Sequence, residues 1–331
     1  MELFEILDGC PKDEIIGNNL VIAYKTINNP AYKKILCSVS GGADSDIVID
    51  ICVMCDKDKK IDYVWFDTGL EYQATKKHLK YLEEKYGIEI KIEKAIKPIP
   101  TSCKQYGQPF ISKQVSQFME GLQRHNFKWE DKPYEELLKE YPKCKSYLQW
   151  WCNTKQRGND KRFCIAQNKW LKEFIIENPP DFKISASCCK YAKKDLAKKI
   201  IKENGYDLNI FGIRKAEGGQ RATAYKNCFD ENIGGCDNYR PVFWYLNNTK
   251  STYDNHYNIL HSDCYTVYGF KRTGCACCPF GGANIDMELE AVRKHEPNLY
   301  IAVNNIFGKS YEYTRKYRLF SKDKDENNLY E

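Results

Sequence analysis

Short apolar runs alternate with longer amphipathic stretches in the first part of the chain. Residues 34–38 (KILCS) predict a buried strand, and a helical stretch follows at residues 44–55. Residues 63–66 and 88–92 predict two further strands, with a helix over about residues 71–86 between them. Strands separated by helices of this length are typical of βαβ units. The pattern therefore predicts an α/β fold built on a Rossmann-like, doubly wound parallel sheet.

The pattern changes twice further along the chain. Aromatic, cysteine- and lysine-rich segments replace it at residues 97–180, and strands are predicted to return at 182–185 and 209–213. The last part is rich in Gly, Tyr and Cys and ends in a helical tail at about 287–317. We therefore predict four parts: the N-terminal part of a nucleotide-binding domain (1–96), a helical insertion or lid (97–180), the remainder of the α/β core (181–214), and a Cys-rich C-terminal lobe with the tail (215–331).

Composition is that of an ordinary folded protein, with 42% hydrophobic and 29% charged residues among 331. No apolar run approaches the roughly 20 residues that span a bilayer, and the start of the chain is acidic. We expect a cytoplasmic protein with no membrane partner. In that setting the 16 cysteines indicate reduced thiols, metal binding or catalysis rather than disulfides.

The net charge of +6 comes mostly from lysine. Solvated helix faces explain most of these lysines. The remainder fits a polyanionic partner, either a nucleotide or a nucleic-acid acceptor.

Residues 40–45 (SGGADS) lie between a predicted strand and a predicted helix. Glycines there let backbone N–H groups approach phosphate oxygens, and the helix presents its positive N-terminal end. The hydroxyls of Ser40 and Ser45 add donors, while Asp44 could organise the turn or hold Mg²⁺. The lysine of a Walker A loop is missing, which argues against an ordinary P-loop NTPase. The alternative is a simple glycine turn with a Ser/Asp helix cap.

This loop resembles the PP-loop of the adenine nucleotide alpha hydrolase superfamily, which includes ATP pyrophosphatases and sulfonucleotide reductases. The segment FDTGLE at residues 66–71 resembles the DTG segment of the phosphoadenosine phosphosulfate (PAPS) reductase family, and GIRKAEGGQR at 212–221 is similar to its GxRxxE…R segment. The resemblance implies a nucleotide site formed by Ser40, Gly41, Gly42, Asp44, Ser45, Asp67, Thr68 and Gly69. It also implies catalytic roles for Asp44, Arg214, Glu217 and Arg221.

Two arginines can grip phosphate or sulfate bidentately, and Glu217 could orient Arg214 or bind a metal. Structural salt bridging is the alternative for this segment.

The cysteines form a CC…CxxC pattern: Cys188 and Cys189, then Cys275 and Cys278. The pattern resembles the [4Fe-4S] site of adenosine phosphosulfate (APS) reductases and related sulfur-transfer proteins. Adjacent cysteines suit a cubane, whose irons are separate, better than a single Zn²⁺. Zinc and unliganded thiols remain alternatives. Cys277 is surplus to the four, and Cys277 in place of Cys275 as a ligand is an alternative that the spacing favours less.

Cys152 and Cys164 suit buried packing better than a second metal site. The five histidines form no ligand motif.

Two enzymatic hypotheses follow, with a non-enzymatic one beside them. The preferred one is an ATP-using enzyme that adenylylates a substrate, releases pyrophosphate and supports sulfur insertion, with Mg²⁺ and a sulfur donor protein or reductant as partners. The alternative is a reductase that forms sulfite from APS or PAPS. Such enzymes carry a nucleophilic cysteine in a C-terminal tail, and no cysteine follows Cys278. The third is a nucleotide or redox sensor. The sequence leaves the oligomeric state open.

Overall fold

A computed structural model describes residues 1–218, 224–232 and 235–327. The chain folds into two compact units, each assembled from two segments. The first unit comprises Met1–Ile96 and Ala192–Ala276, and the second comprises Lys97–Tyr191 and Cys277–Glu331. The four-part division predicted from the sequence stays a prediction.

The elements are numbered in chain order through the described residues. The first segment contains α1 (Leu3–Asp8), α2 (Glu14–Ile27), β1 (Ile35–Val39), α3 (Ala43–Cys55), β2 (Ile61–Asp67), α4 (Gln73–Tyr86) and β3 (Ile90–Lys94). The middle of the chain contains α5 (Ile99–Tyr106), α6 (Lys113–Arg124), α7 (Tyr134–Glu140), α8 (Lys145–Trp151), α9 (Leu171–Glu177) and α10 (Ser187–Cys189). The remainder contains α11 (Asp195–Asn204), β4 (Leu208–Phe211), β5 (Phe229–Asp230), β6 (Asp237–Tyr239), α12 (Asn247–His256), α13 (Asp263–Thr266), α14 (Ile285–His295) and α15 (Pro297–Asn327).

Six strands of the first unit form one sheet in the order β3-β2-β1-β4-β6-β5. Every neighbouring pair is parallel except β5 and β6, which run antiparallel. The registers place Ile35 of β1 opposite Ile61 of β2 and Leu208 of β4. The predicted α/β fold with a doubly wound parallel sheet is confirmed.

Helix α3 is buried on most of its surface. Its sequence, ADSDIVIDICVMC, is apolar on several faces after the first turn, and residues 45–52 are all buried. Such a helix must be covered on more than one side. It packs into a core that includes the interior residues of β1 and β4. The segment that follows the polar loop is therefore held firmly in place.

The second unit has its own aromatic core. Trp150 and Trp151 of α8 are fully buried there, as are Phe110 and Phe174. Tyr313 of α15 packs in the same core. The C-terminal helix thus belongs to the same core as the middle of the chain.

Residues 182–185 are not a strand of the sheet, so that prediction was wrong. Ile184 makes a single parallel bridge to Gln108 within the second unit. Its side chain is fully buried in the aromatic core. The apolar run therefore indicated burial correctly but not strand pairing.

The described helices include none that is both long enough and apolar enough to cross a membrane.

Candidate functional site

The predicted nucleotide loop lies where the order of the sheet reverses. From β1 the chain builds β2 and β3 on one side of the sheet, and β4 and β6 lie on the other side. Open parallel sheets bind ligands at the carboxyl ends of their strands, at such a switch point. Residues 40–42 leave the carboxyl end of β1 there and lead directly into α3. The loop therefore occupies the position at which this class of sheet binds ligands.

Internal hydrogen bonds shape the loop. Ser40 N–H donates to Ser45 Oγ at 3.1 Å, and Gly42 N–H donates to Ser40 Oγ at 3.3 Å. Gly41 has φ +66°, and a Cβ added there would lie 2.6 Å from Cγ2 of Thr75 on α4. Only glycine meets both requirements. The loop is therefore preformed, with its backbone close against α4.

Asp44 and Arg214, predicted separately from the sequence, are in direct contact. Arg214 Nε donates to Asp44 Oδ1 at 2.8 Å, and its Nη1 donates to Asn247 Oδ1 at 3.0 Å. The side chains of the pair are only 11% and 12% exposed, so water screens their attraction weakly. A guanidinium carries five N–H donors, so one that is anchored in this way still has donors for a ligand anion. The arrangement places a positive charge beside the first turn of α3.

The predicted arginine segment contains two further candidate site residues, Glu217 and Arg221. Glu217 ends a 3₁₀ turn, Lys215–Glu217, and is exposed. Arg221 lies outside the described residues. The catalytic roles of Glu217 and Arg221 stay predictions.

The DTG segment follows β2, the strand next to β1. Gly69 N–H donates to Asp67 Oδ1 at 2.8 Å. The buried Thr68 donates to Glu71 Oε1 through its hydroxyl at 2.5 Å and its N–H at 3.2 Å. Burial raises the pKa of Glu71, and Lys193 opposes that rise. The segment is thus a rigid turn at the same edge of the sheet as the nucleotide loop.

A buried carboxylate one residue beyond the loop binds two histidines. Asp46 is fully buried, 2.9 Å from His78 Nε2 and 2.8 Å from His261 Nδ1. His261 Nε2 lies 3.1 Å from Asp254 Oδ2 and 2.9 Å from Lys250 Nζ. Burial disfavours a charge on His261, but its hydrogen bonds with Asp254 and Asp46 outweigh burial and raise its pKa to about 9.

The sequence analysis missed this cluster. No local spacing joins a helix residue to two histidines on other elements. The one available signal is an aspartate inside an otherwise apolar helix, which needs a partner when it is buried.

Four cysteines come together in the second unit. The Cys188 thiol hydrogen-bonds with those of Cys103 and Cys189, and Cys278 is near enough to contribute to the raised pKa of Cys188. The Cys103 thiol, together with burial, raises the pKa of Cys188. The structure thus groups three of the predicted cluster ligands and adds Cys103 of α5, which no motif in the sequence marked.

The remaining predicted ligand, Cys275, lies in the first unit. Cys277 is buried, and its carbonyl accepts a hydrogen bond from the Tyr311 hydroxyl at 2.6 Å. Within the described ranges, no group of three or more His, Cys, Asp and Glu side chains is arranged to hold a metal ion. The chemistry of the thiol group nevertheless suits iron–sulfur ligation, because a cubane places its ligands on separate irons.

Comparison with known proteins gives one domain match and several distant likenesses. The family model of the phosphoadenosine phosphosulfate reductase domain matches residues 34–149. An uncharacterized protein of Methanocaldococcus jannaschii, MJ0066, is 24% identical over 298 residues, covering 87% of this chain and 43% of the relative. The chain therefore spans less than half the length of that relative.

Two solved structures illustrate the structural likenesses. The PAPS reductase of Candida auris, in complex with phosphate, has a TM-score of 0.41 at 11% identity and covers 82% of this chain and 93% of its own. The U34-tRNA thiolase NcsA of Methanococcus maripaludis, with its [4Fe-4S] cluster, has a TM-score of 0.38 at 12% identity and covers 93% and 79%. Likenesses this distant carry no argument about activity.

The domain match falls on the segment that holds both the SGGADS loop and the FDTGLE turn. Residues 34–149 of this chain are therefore similar to the phosphoadenosine phosphosulfate reductase domain.

Proposed function

We propose that this protein is a PP-loop enzyme of sulfur metabolism that binds ATP at residues 40–45, adenylylates a substrate and supports insertion of sulfur into it. The net positive charge favours a nucleic acid as the acceptor. The observation that carries the proposal is the loop at the N-terminus of α3 with the Arg214 guanidinium bound to Asp44 beside it. A helix N-terminus and an arginine both attract phosphate oxygens.

We assign each residue of the site a role according to its position. The positive N-terminal end of α3 attracts the phosphates, and Arg214 stabilises the negative charge that develops on the leaving pyrophosphate. Asp44 fixes Arg214 through its ion pair. Carboxylate oxygens of Asp44 and Asp67 are hard ligands of the kind Mg²⁺ prefers, and together with the phosphates they would hold that ion.

The chemistry balances in two steps. A substrate oxygen attacks the α-phosphorus of ATP, the bond to the β-phosphate oxygen breaks, and pyrophosphate leaves. A sulfide sulfur then attacks the activated carbon, and AMP leaves with the original oxygen. The first step needs only the loop, Arg214 and Mg²⁺, since phosphoryl chemistry is mostly positioning and charge stabilisation.

The second step needs a sulfur carrier. We propose that Cys188, Cys189, Cys275 and Cys278 bind a [4Fe-4S] cluster, and that Cys103 lies close enough to Cys188 to replace one of them. When bound, such a cluster would supply an iron able to hold sulfide once one of the four thiolates leaves that iron.

Turnover assays test the proposal. Anaerobically purified protein would be given MgATP with RNA or DNA and a sulfide source, and pyrophosphate release would be measured. We expect release that falls by about 100-fold or more in Asp44→Ala, because Arg214 loses its anchor. Asp58→Ala, an exposed carboxylate between α3 and β2, is the matched control and should keep full activity. Unchanged turnover in Asp44→Ala would contradict the assignment of the site.

Sulfonucleotide reduction is the second candidate, and the name of the matched domain favours it. The same protein given APS or PAPS with a thiol reductant would then release sulfite. Sulfite from either substrate, without pyrophosphate from ATP, would replace the first proposal by the second.

A further inference from the structure

Three hydroxyl groups lie close to Gly42, the N-cap residue of α3. A Cβ added to Gly42 would lie 3.2 Å from Thr273 Oγ1, 3.3 Å from Tyr265 Oη and 3.3 Å from Ser40 Oγ. Ser40 belongs to the SGGADS loop, but the other two residues lie far beyond the matched domain. The space that any other side chain would fill is therefore lined by hydroxyl oxygens.

The two distant hydroxyls are bonded to the loop and to each other. Ala43 N–H, the first amide of α3, donates to Tyr265 Oη at 3.1 Å. Tyr265 Oη lies 3.1 Å from Thr273 Oγ1, and either atom can donate. The pair has two hydroxyl protons and uses one between its members. The other proton is available to a ligand over Gly42.

The position suits an anion. The loop lies at the positive end of a 13-residue helix, and Arg214, which is paired with Asp44 in the same turn, has further N–H donors for an anion. Burial raises the pKa of Tyr265, so its hydroxyl keeps its proton at neutral pH. Neutral hydroxyl donors can replace part of the role that a lysine has in a Walker A loop.

The Tyr265 ring is also held in place. Its short helix α13 is capped by Ser262, whose Oγ accepts a hydrogen bond from Cys264 N–H at 3.3 Å. The ring lies 5.9 Å from that of His261, which is fixed in turn by the buried Asp46. The Tyr265 hydroxyl is therefore already ordered beside the loop. Ligand binding does not have to order it, and this lowers the entropic cost of binding.

We propose that Tyr265 and Thr273 are phosphate-binding residues that complete the anion site of the nucleotide loop, donating a hydroxyl proton to a phosphate oxygen over Gly42. The inference rests on the nucleotide site proposed above. It adds a segment outside residues 34–149 to that site and makes recognition depend on the phosphates rather than on the adenosine.

Calorimetric titration of the full chain with ATP, inorganic tripolyphosphate and adenosine tests the proposal. Tyr265→Phe and Thr273→Val keep the shape of each side chain and remove its hydroxyl. Because either hydroxyl can donate the proton, the two substitutions together should weaken binding of ATP and tripolyphosphate about tenfold, the usual value of a hydrogen bond to a charged group. Adenosine binding should stay within about twofold of wild type, and Thr273→Ser, which keeps the hydroxyl, should bind ATP as the wild type does.

The outcomes separate the two proposals. Wild-type affinity for ATP in the variant that lacks both hydroxyls overturns the inference but leaves the nucleotide site intact. A parallel loss of adenosine binding also overturns it, since that loss means a structural effect. Failure of the wild-type protein to bind ATP would remove the proposed function and this inference together.

Discussion

Gly41 combines a left-handed backbone with close contact to a neighbouring helix. Its φ of +66° is costly for any residue with a Cβ, and that Cβ would meet Thr75 Cγ2. Gly205, which follows α11, has a similar φ of +65° but nothing within 4 Å of its added Cβ. Alanine substitutions at the two glycines therefore distinguish the energetic cost of backbone strain from that of a steric clash.

We expect Gly41→Ala to lower the free energy of unfolding by about 2 kcal/mol or more, and Gly205→Ala by about 1 kcal/mol. Adding Thr75→Ser to Gly41→Ala removes the methyl group in conflict and should restore part of the loss, together with ATP binding. Urea denaturation and ATP titration measure both effects. Equal losses in the two alanine variants would show that packing against α4 does not constrain the loop.

At the scale of elements, the Asp46 cluster ties α3 to α4 and to the segment after α12. The charged and titratable groups around His261 are Asp46, His78, Asp254 and Lys250. The pKa of His261 in the folded protein, about 9, is above its ordinary value of 6.5. Its contribution to stability is therefore complete below pH 6.5 and is lost as the pH rises to about 9.

Wild-type protein should lose up to about 3 kcal/mol of unfolding free energy across that range relative to His261→Gln, which has no imidazolium to lose. Denaturation curves from pH 6 to about 10 give the difference between the two proteins, in which the titration of other groups cancels. His125→Gln, in the second unit, should follow the wild type. A pH-independent difference between wild type and His261→Gln would show that His261 is not charged in the folded state.

Features formed by consecutive residues could be predicted from the sequence, whereas contacts between distant positions could not. The strand, glycine loop and helix around Gly42 are consecutive in the chain, so their pattern predicted both fold and site. The pairing of Asp46 with His261, and of Cys103 with Cys188, joins distant positions whose proximity depends on tertiary packing. The strand predicted at residues 182–185 was wrong for a related reason. An apolar run indicates burial, but it does not show which part of the protein covers it.

At the scale of the whole molecule, the thiol group draws on both segments of the second unit. Cys103, Cys188 and Cys189 come from the middle of the chain, and Cys278 comes from its last part. Under the cluster proposal, iron content would therefore report whether these segments assemble.

We expect anaerobically purified protein to contain about four irons and four sulfides per chain, and Cys188→Ala to contain less than about one. Cys144→Ala removes a buried cysteine whose pKa is raised by burial alone, and should keep its iron. Iron and sulfide analysis with visible absorption measures these contents. Iron-free wild-type protein would contradict the cluster proposal. Loss of iron in Cys103→Ala but not in Cys275→Ala would show that Cys103, rather than Cys275, is a ligand.

The sheet order has a consequence for synthesis on the ribosome. β1 pairs with β2 soon after both emerge, but its other neighbour, β4, follows only after the whole first segment of the second unit has been made. Until then one edge of β1 is unpaired in the nascent chain, which is the kind of edge that invites aggregation. The switch point beside the SGGADS loop thus also leaves one edge of the newborn sheet unprotected until β4 has been made.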